Sequence, residues 1–342
     1  VHVAGKAHVF LENSFVELTT KFPGTNDIHM HSDERTYLHA AGIFALIALV
    51  LQNTVLVLLM KFSYRAEAAE YSAAAAVLSS EVTKLLICIA QVFYSGGRSH
   101  VAEMVFSISS EAKLLIPCIL YVIQNNLLYL AVNNLDTTVY VVCSQAKTLT
   151  SALFSYLLLG TVLRRQQVFA LILLVMGISY TQTSENITYS KPRVENRFIG
   201  LLAVLGAAFT SGFAGVYLEK IYKDKSKTIW ERNFLLSTFS LPFCLFPILW
   251  TKESSGKSIF DGFDWIVMLI VVLQACGGFV IAFVMRYANT LLKCFAVSVS
   301  VCLCMFISKI AQGQRIAMNH VLGVTLVNVS IYMYAGVLRM KK

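Results

Sequence analysis

Lys147 stands in the middle of an apolar stretch, in Ser144-Gln145-Ala146-Lys147-Thr148, and Lys293 opens another, in Asn289-Thr290-Leu291-Leu292-Lys293. A lysine at the centre of a bilayer costs about 2.5–3.5 kcal/mol to insert, so it faces a partner or a wet cavity. The stretch around Lys147 holds no acid beyond Asp136 at its end. A buried ion pair is one reading, and a site for an anion is the favoured one. Each ammonium is a point charge with three donors, which suits a phosphate or a pyrophosphate. Alone, Lys293 reads as a helix-end lysine reaching for the interface. Paired with Lys147, it becomes the second arm of a clamp.

Other polar residues interrupt the apolar pattern. Glu81 and Lys84 lie three apart and share a helix face, so they read first as a self-neutralising pair. Proton coupling through Glu81 is the less favoured alternative. Gln124-Asn125-Asn126 follows Tyr121 by one turn. Amides at such depth hold neighbouring helices together or read the edge of a base or sugar, and consecutive ones cannot all face one cavity. Ala203, Ala207, Ser211 and Gly215 form a small-residue stripe for close helix packing, and Gly277-Gly278 reads as packing or a bend. Tyr217 either stacks on a base or belongs to the interfacial aromatic belt. There is no Gly-x-Ser-x-Gly, no His-Glu-x-x-His and no phosphate loop, which counts against an enzyme, and no cofactor is expected. The eight cysteines all fall in apolar stretches, without metal spacing.

The elements that must position these residues follow from composition. Of 342 residues, 57% are hydrophobic and 14% charged, with a mean hydropathy of +0.67. Soluble domains average about 45–50% apolar and about 25% charged. Ten apolar segments can be drawn, near 38–62, 71–94, 114–132, 135–160, 168–183, 198–222, 234–251, 265–287, 291–311 and 316–338. Each is expected to be a helix, giving an all-α membrane protein with ten transmembrane helices. Five per half makes the halves antiparallel, an inverted repeat with its substrate site near the midplane. The expected organisation is a polar cytosolic tail 1–36, without a cleavable signal sequence, a first half 37–183, a connecting loop 184–197, a second half 198–338 and a cytosolic end 339–342.

Most of the 28 Lys and Arg residues fall on the side of the two termini, which places both in the cytosol. The net charge of +9 would suggest nucleic acid for a soluble protein. In a membrane protein it reflects basic cytosolic loops and an anion cavity, and no nucleic-acid partner is expected. Asn186-Ile187-Thr188 is a glycosylation acceptor in the connecting loop, which this topology puts in the lumen. His2, His8, His29 and His31 read as parts of a solvated tail rather than as metal ligands.

At these residues the chain resembles the nucleotide-sugar transporter family, in the group that carries CMP-sialic acid, UDP-galactose and UDP-N-acetylglucosamine. The resemblance runs from about Leu38 to Gly336. It rests on Tyr121-Val-Ile-Gln-Asn-Asn126, Asn134-Leu-Asp-Thr-Thr-Val-Tyr140, Gln145-Ala-Lys147 with Thr150-Ser-Ala-Leu-Phe154, and Ser211-Gly-Phe-Ala-Gly-Val-Tyr-Leu-Glu-Lys220. Trp230-Glu-Arg-Asn233 and Val272-Leu-Gln-Ala-Cys-Gly-Gly278 add to it. It implies a drug/metabolite-transporter fold in a Golgi or ER membrane. It also implies antiport, with a nucleotide-sugar entering the lumen as a nucleoside monophosphate leaves. Lys147 and Lys293 would contact phosphates, and Asn125, Tyr140 and Tyr217 match family cavity positions. Two blocks depart from the family: Tyr287-Ala-Asn289-Thr290-Leu-Leu-Lys293-Cys294 replaces a Tyr-x-Asp-Asn-x-x-Lys-Gly pattern, and Val141-Val-Cys-Ser144-Gln-Ala-Lys147 replaces Gln-Val-Thr-Tyr-Gln-Leu-Lys. Val272–Gly278 looks more like UDP-sugar members, so the resemblance favours UDP-N-acetylglucosamine or UDP-galactose exchanged for UMP. A CMP-sialic acid/CMP antiporter and a drug/metabolite exporter of the same fold are the alternatives.

Overall fold

Hydrocarbon leaves no water for unpaired backbone groups, so apolar runs of this length close their hydrogen bonds internally. The computed structural model describes residues 32–65, 71–135, 137–182, 197–224, 226–255, 260–311 and 318–339. Among them the secondary structure is helical, with no strand. The helices are α1 (Ser32–Arg65), α2 (Ala73–Phe106), α3 (Leu115–Asn134), α4 (Thr137–Ser144), α5 (Ala146–Leu159), α6 (Arg165–Gln182), α7 (Arg197–Lys223), α8 (Ile229–Ser255), α9 (Trp265–Tyr287), α10 (Thr290–Ala311) and α11 (Met318–Arg339). Every apolar segment falls on a helix, and the fourth falls on two, α4 and α5. Stretches in 6 of the helical regions are long and apolar enough to cross a membrane: Ala40–Met60, Ala74–Ser95, Ser110–Val132, Arg197–Lys223, Trp265–Tyr287 and Thr290–Ala311. Large apolar side chains such as Phe44, Leu86, Phe169 and Phe209 point outward. That is a surface suited to lipid, not to water.

Two boundaries differ from the apolar segments. Residues 32–36, read as tail, are the first turns of α1. Past Tyr94 the chain kinks at Gly97, at φ 69° and ψ −165°, and a second helical stretch follows to Phe106. Glycine adopts that backbone without a Cβ clash. The continuation alternates Arg98, His100 and Glu103 with Val101 and a buried Met104. Such an amphipathic turn lowers the average hydropathy and so escapes an apolar window.

Local signals set the other ends. The Ser72 hydroxyl accepts from Ala75 N at 3.3 Å, and the Asp264 carboxylate accepts from Val267 N at 2.8 Å. Thr228 and Glu231 exchange backbone bonds in a capping box at the start of α8, 3.0 and 3.2 Å long. Gly160 closes α5 in the left-handed region, at φ 64°.

The most extensive pairings are α6 with α11, α3 with α7, α5 with α7, α2 with α8, α1 with α9 and α1 with α10. Lipid tails are as apolar as leucine, so close backbones and polar seams must hold such pairs. A methyl on Gly177 of α6 would lie 3.0 Å from Gly323 O of α11. Between α1 and α10, Asn53 Nδ2 donates to Ser300 Oγ at 2.9 Å, and Thr54 Oγ1 donates to the same oxygen at 3.0 Å. Buried apolar clusters lie between helices rather than in one core. One joins Leu171 and Leu174 of α6 to Phe295 of α10 and Tyr334 of α11.

Candidate binding cavity

Each of the two sequence-picked lysines follows a break in a helix. At Gln145 the chain makes three-residue bonds, Gln145 N to Val142 O at 3.2 Å and Thr148 N to Gln145 O at 3.0 Å. Lys147 therefore sits in the first turn of α5. Ala288, at φ −122° and ψ −133°, separates α9 from α10. The Asn289 side chain caps the new helix by accepting from Leu292 N at 2.8 Å, and Lys293 sits in its first turn. Helices interrupted within a membrane protein are tolerated where they line a cavity.

They do so here. A cavity of about 420 Å³ is lined from α1, α2, α5, α6, α7, α9 and α10, and both Lys147 and Lys293 line it. Among the described residues neither makes an ion pair, in contrast to Lys84, Lys113, Lys223 and Lys227. Lys293 lies along α7: a methyl on Gly215 would meet Lys293 Nζ at 3.7 Å and Thr290 Cγ2 at 3.2 Å.

A second polar wall comes from α1, α2 and α9. Lys84 Nζ donates to Glu81 Oε1 at 2.7 Å, as their three-residue spacing suggested, but the pair lines the cavity instead of standing apart from it. Gly277 and Gly278 make room for this wall. Gln52 lies over Gly277 and donates from Nε2 to Leu273 O at 3.0 Å, and Lys84 lies over Gly278. Gln274, one turn earlier on the same face of α9, lines the cavity too. Its Oε1 and Glu81 Oε2 are buried without a hydrogen-bond partner among the described residues. The small-residue stripe on α7 is mostly packing, with Ala203, Ala207 and Gly215 buried, while Ser211 lines the cavity.

Sequence reasoning missed the group that joins α7 to α10. Glu219 is 1% exposed. Its Oε2 accepts from Thr290 N at 2.7 Å, and its Oε1 takes an ion pair from Lys223. Thr290 Oγ1 also donates to Gly215 O at 3.1 Å. The available signal was spacing, since Glu219 lies one turn beyond Gly215 on the stripe.

The remaining sequence candidates lie outside the cavity lining. Tyr121 packs with Leu218, Tyr222, Ile229, Ala282 and Met285. Gln124 is partly buried, with its Oε1 unpartnered among the described residues, and Asn125 is exposed. Tyr140 packs beside Ala131, Leu135, Ala203 and Val204. Tyr217 stacks on Phe213, ring centres 5.8 Å apart at 15°. The three amides do not break α3, which is continuous. Asn186 and the tail histidines lie outside the described residues.

Comparison with known proteins supplies the remaining constraint. The sequence model of a family described as "Nucleotide-sugar transporter" matches residues 39–335. A UDP-N-acetylglucosamine/UDP-N-acetylgalactosamine transporter of Caenorhabditis elegans is 35% identical over 314 residues, 85% of this chain and 92% of that protein. A UDP-N-acetylglucosamine transporter of Rattus norvegicus is 39% identical over 275 residues, 76% of this chain and 84% of its own. A UDP-galactose translocator of Bos taurus is 34% identical over 302 residues, 85% of this chain and 77% of its own. A protein crystal structure superposes with a TM-score of 0.64 at 13% identity, covering 89% of this chain and 99% of that one, which is a likeness of fold alone. The family match spans both lysines and every helix that lines the cavity, and the chain belongs to the nucleotide-sugar transporter family.

Proposed function

We propose that this protein is an antiporter that carries a UDP-sugar, UDP-N-acetylglucosamine or UDP-galactose, into the lumen of the Golgi or ER and returns UMP to the cytosol. The observation that carries the reading is the convergence of Lys147 and Lys293 on one cavity, with no ion-pair partner for either among the described residues. Two adjacent ammoniums repel each other, and an anionic ligand relieves that repulsion. A pyrophosphate or phosphate meets the requirement in both directions of exchange. The volume of about 420 Å³ falls in the ordinary range for small-ligand sites, about 300–1,000 Å³. An empty carrier would have to bury two uncompensated charges to change sides, so obligatory exchange follows from the same electrostatics.

The proposed architecture is ten transmembrane helices in two antiparallel halves, 37–183 and 198–338, with both termini cytosolic. Helix pairing supports it. Counting α4 and α5 as one span, moving each helix to its counterpart five spans away turns the α3–α7 pairing into α9–α1, and the α5–α7 pairing into α10–α1. It turns α2–α8 and α6–α11 into themselves. Lys147 and Lys293 become counterparts under the same exchange. Asn125, Tyr140, Tyr217, Gln124 and Tyr121 are proposed to contact the cargo in another state of the transport cycle. Asn186 is the proposed glycosylation acceptor.

The test is uptake of labelled UDP-sugars into proteoliposomes preloaded with UMP. Trans-stimulation by UMP is expected. Uptake that no internal nucleotide accelerates would end this reading, and stronger stimulation by CMP would reassign the cargo to CMP-sialic acid.

A further inference from the structure

Lys293 can act on an anion only if the break before α10 holds its first turn against α7. Two hydrogen bonds hold it there, and both come from Thr290. Its hydroxyl donates to Gly215 O at 3.1 Å, and its amide donates to Glu219 Oε2 at 2.7 Å. Glu219 is 1% exposed, and Thr290 is equally buried. The carboxylate lies close enough to Lys293 to feel its charge. It does not pair with that lysine, because its other oxygen is taken by Lys223 from the exposed end of α7. A carboxylate at the first amide of a helix is favoured by the helix dipole as well as by the bond.

This arrangement resolves a conflict in the site. A carboxylate free to swing onto Lys293 would neutralise it and compete with the cargo. An α10 without an anchor at Thr290 would let the lysine drift from its seat over Gly215. Lys223 and the Thr290 amide together keep the Glu219 oxygens occupied.

We infer that Glu219 is a positioning residue for the phosphate-gripping Lys293: its hydrogen bond to the Thr290 amide fixes the first turn of α10 against α7, and its pairing with Lys223 prevents it from neutralising the lysine. The inference rests on the proposed exchange of nucleotides. It assigns Glu219 no contact with the cargo. Its effect must therefore appear in the binding of the phosphate and not in the binding of the nucleoside.

The experiment measures displacement of labelled UMP from the purified full-length protein by unlabelled UMP and by uridine, which lacks the phosphate. Glu219→Leu removes the acceptor and is expected to weaken UMP about tenfold relative to uridine, the scale of one charge-assisted hydrogen bond. Glu219→Gln keeps an oxygen for the Thr290 amide and is expected to hold the UMP-to-uridine ratio within about threefold of wild type. A loss of both ligands in parallel would mark Glu219 as merely structural and overturn the inference. So would an unchanged ratio in Glu219→Leu, or a Glu219→Gln variant as impaired as Glu219→Leu. If Glu219→Leu does not fold, Lys223→Met is the test: it frees the Glu219 carboxylate to swing onto Lys293 and is expected to weaken UMP relative to uridine, and adding Glu219→Gln, whose amide is neutral, is expected to restore the ratio. An unchanged ratio in Lys223→Met, or no restoration by the added Glu219→Gln, overturns the inference. Failure of the underlying reading looks different: the wild-type protein would not prefer UMP to uridine at all.

Discussion

Arg232 of α8 and Arg286 of α9 reach the loop between α7 and α8 and end on oxygens of the protein, whereas Lys147 and Lys293 line the cavity. Arg232 is 1% exposed, donates to Asp224 O at 2.9 Å and to Ser226 Oγ at 3.1 Å, and pairs with Asp224 Oδ2 at 3.0 Å. Arg286 donates to the carbonyls of Tyr222, Asp224 and Lys227 at 2.9, 3.0 and 3.3 Å. A planar guanidinium with five donors suits several fixed carbonyls at once, while an ammonium on a flexible stem suits a ligand that comes and goes. The corner thus uses its charge to hold a loop. The cavity keeps its charge uncommitted, and Gly215 leaves room for Lys293 to lie along α7.

Substitution should separate the two regions cleanly. Lys147→Ala and Lys293→Ala are each expected to lower UMP affinity about tenfold or more, the cost of losing one charge-assisted contact to the phosphate. The melting temperature of the detergent-purified protein should stay level or rise, because mutual repulsion is removed. Arg232→Ala should do the reverse. It strips a buried network of its donors and should cost about 2–3 kcal/mol of stability, read as a lowered melting temperature, while the protein that remains folded binds UMP normally. Lysine variants that melt early with intact binding would erase the contrast.

The contrast also shows how far the sequence carries. Lys147 could be found because a lone cation in an apolar run has few readings. Lys293 needed its counterpart, and the cavity brings the two together. Arg232 and Arg286 could only be counted as loop charges: the acceptors of Arg286 are backbone carbonyls, which leave no trace in residue types, and Arg232 meets Asp224 and Ser226 only through the fold of the loop they stand in. The Glu81–Lys84 pair was legible as a pair, since spacing determines that, but its place in the cavity wall depends on Gly277 and Gly278 of a helix far along the chain. Likewise the apolar windows located the helices but passed over the break at Gln145 and the kink at Gly97 with the helical stretch beyond it. Both are set by single backbone turns, not by average hydropathy.

Gly215→Ala sharpens the cavity side of the comparison. The added methyl would stand 3.2 Å from Thr290 Cγ2 and 3.7 Å from Lys293 Nζ, so α10 must shift by a few tenths of an ångström. Alanine favours the α7 helix by about 0.8–1 kcal/mol, which offsets the crowding in a stability measurement. The expected outcome is a near-normal melting temperature with UMP affinity lowered about threefold to tenfold, since misplacing a binding group is costly even where folding is unharmed. Unchanged affinity would mean that the seat of Lys293 is not set by α7.

The smallest effect belongs to the corner and depends on pH. Asp224 lies in the α7–α8 loop, outside the apolar spans, and is 48% exposed. Partial burial would raise its pKa, but the Ser226 hydroxyl and amide and the Arg232 guanidinium act against that and lower it to about 2 from an ordinary 3.8. A carboxyl held below its unfolded value contributes stability above that value and loses it as the pH falls through the folded one. The contribution is therefore complete above about pH 5 and mostly lost by about pH 2. Exposure and salt screen it to a small share of the total. Asp224→Asn keeps the loop's length and shape but removes the charge, so it should melt slightly below wild type at pH 7, and the two melting curves should converge as the pH drops through that window. A gap that persisted at pH 2 would show that the side chain's shape, and not its charge on Arg232, secures the corner.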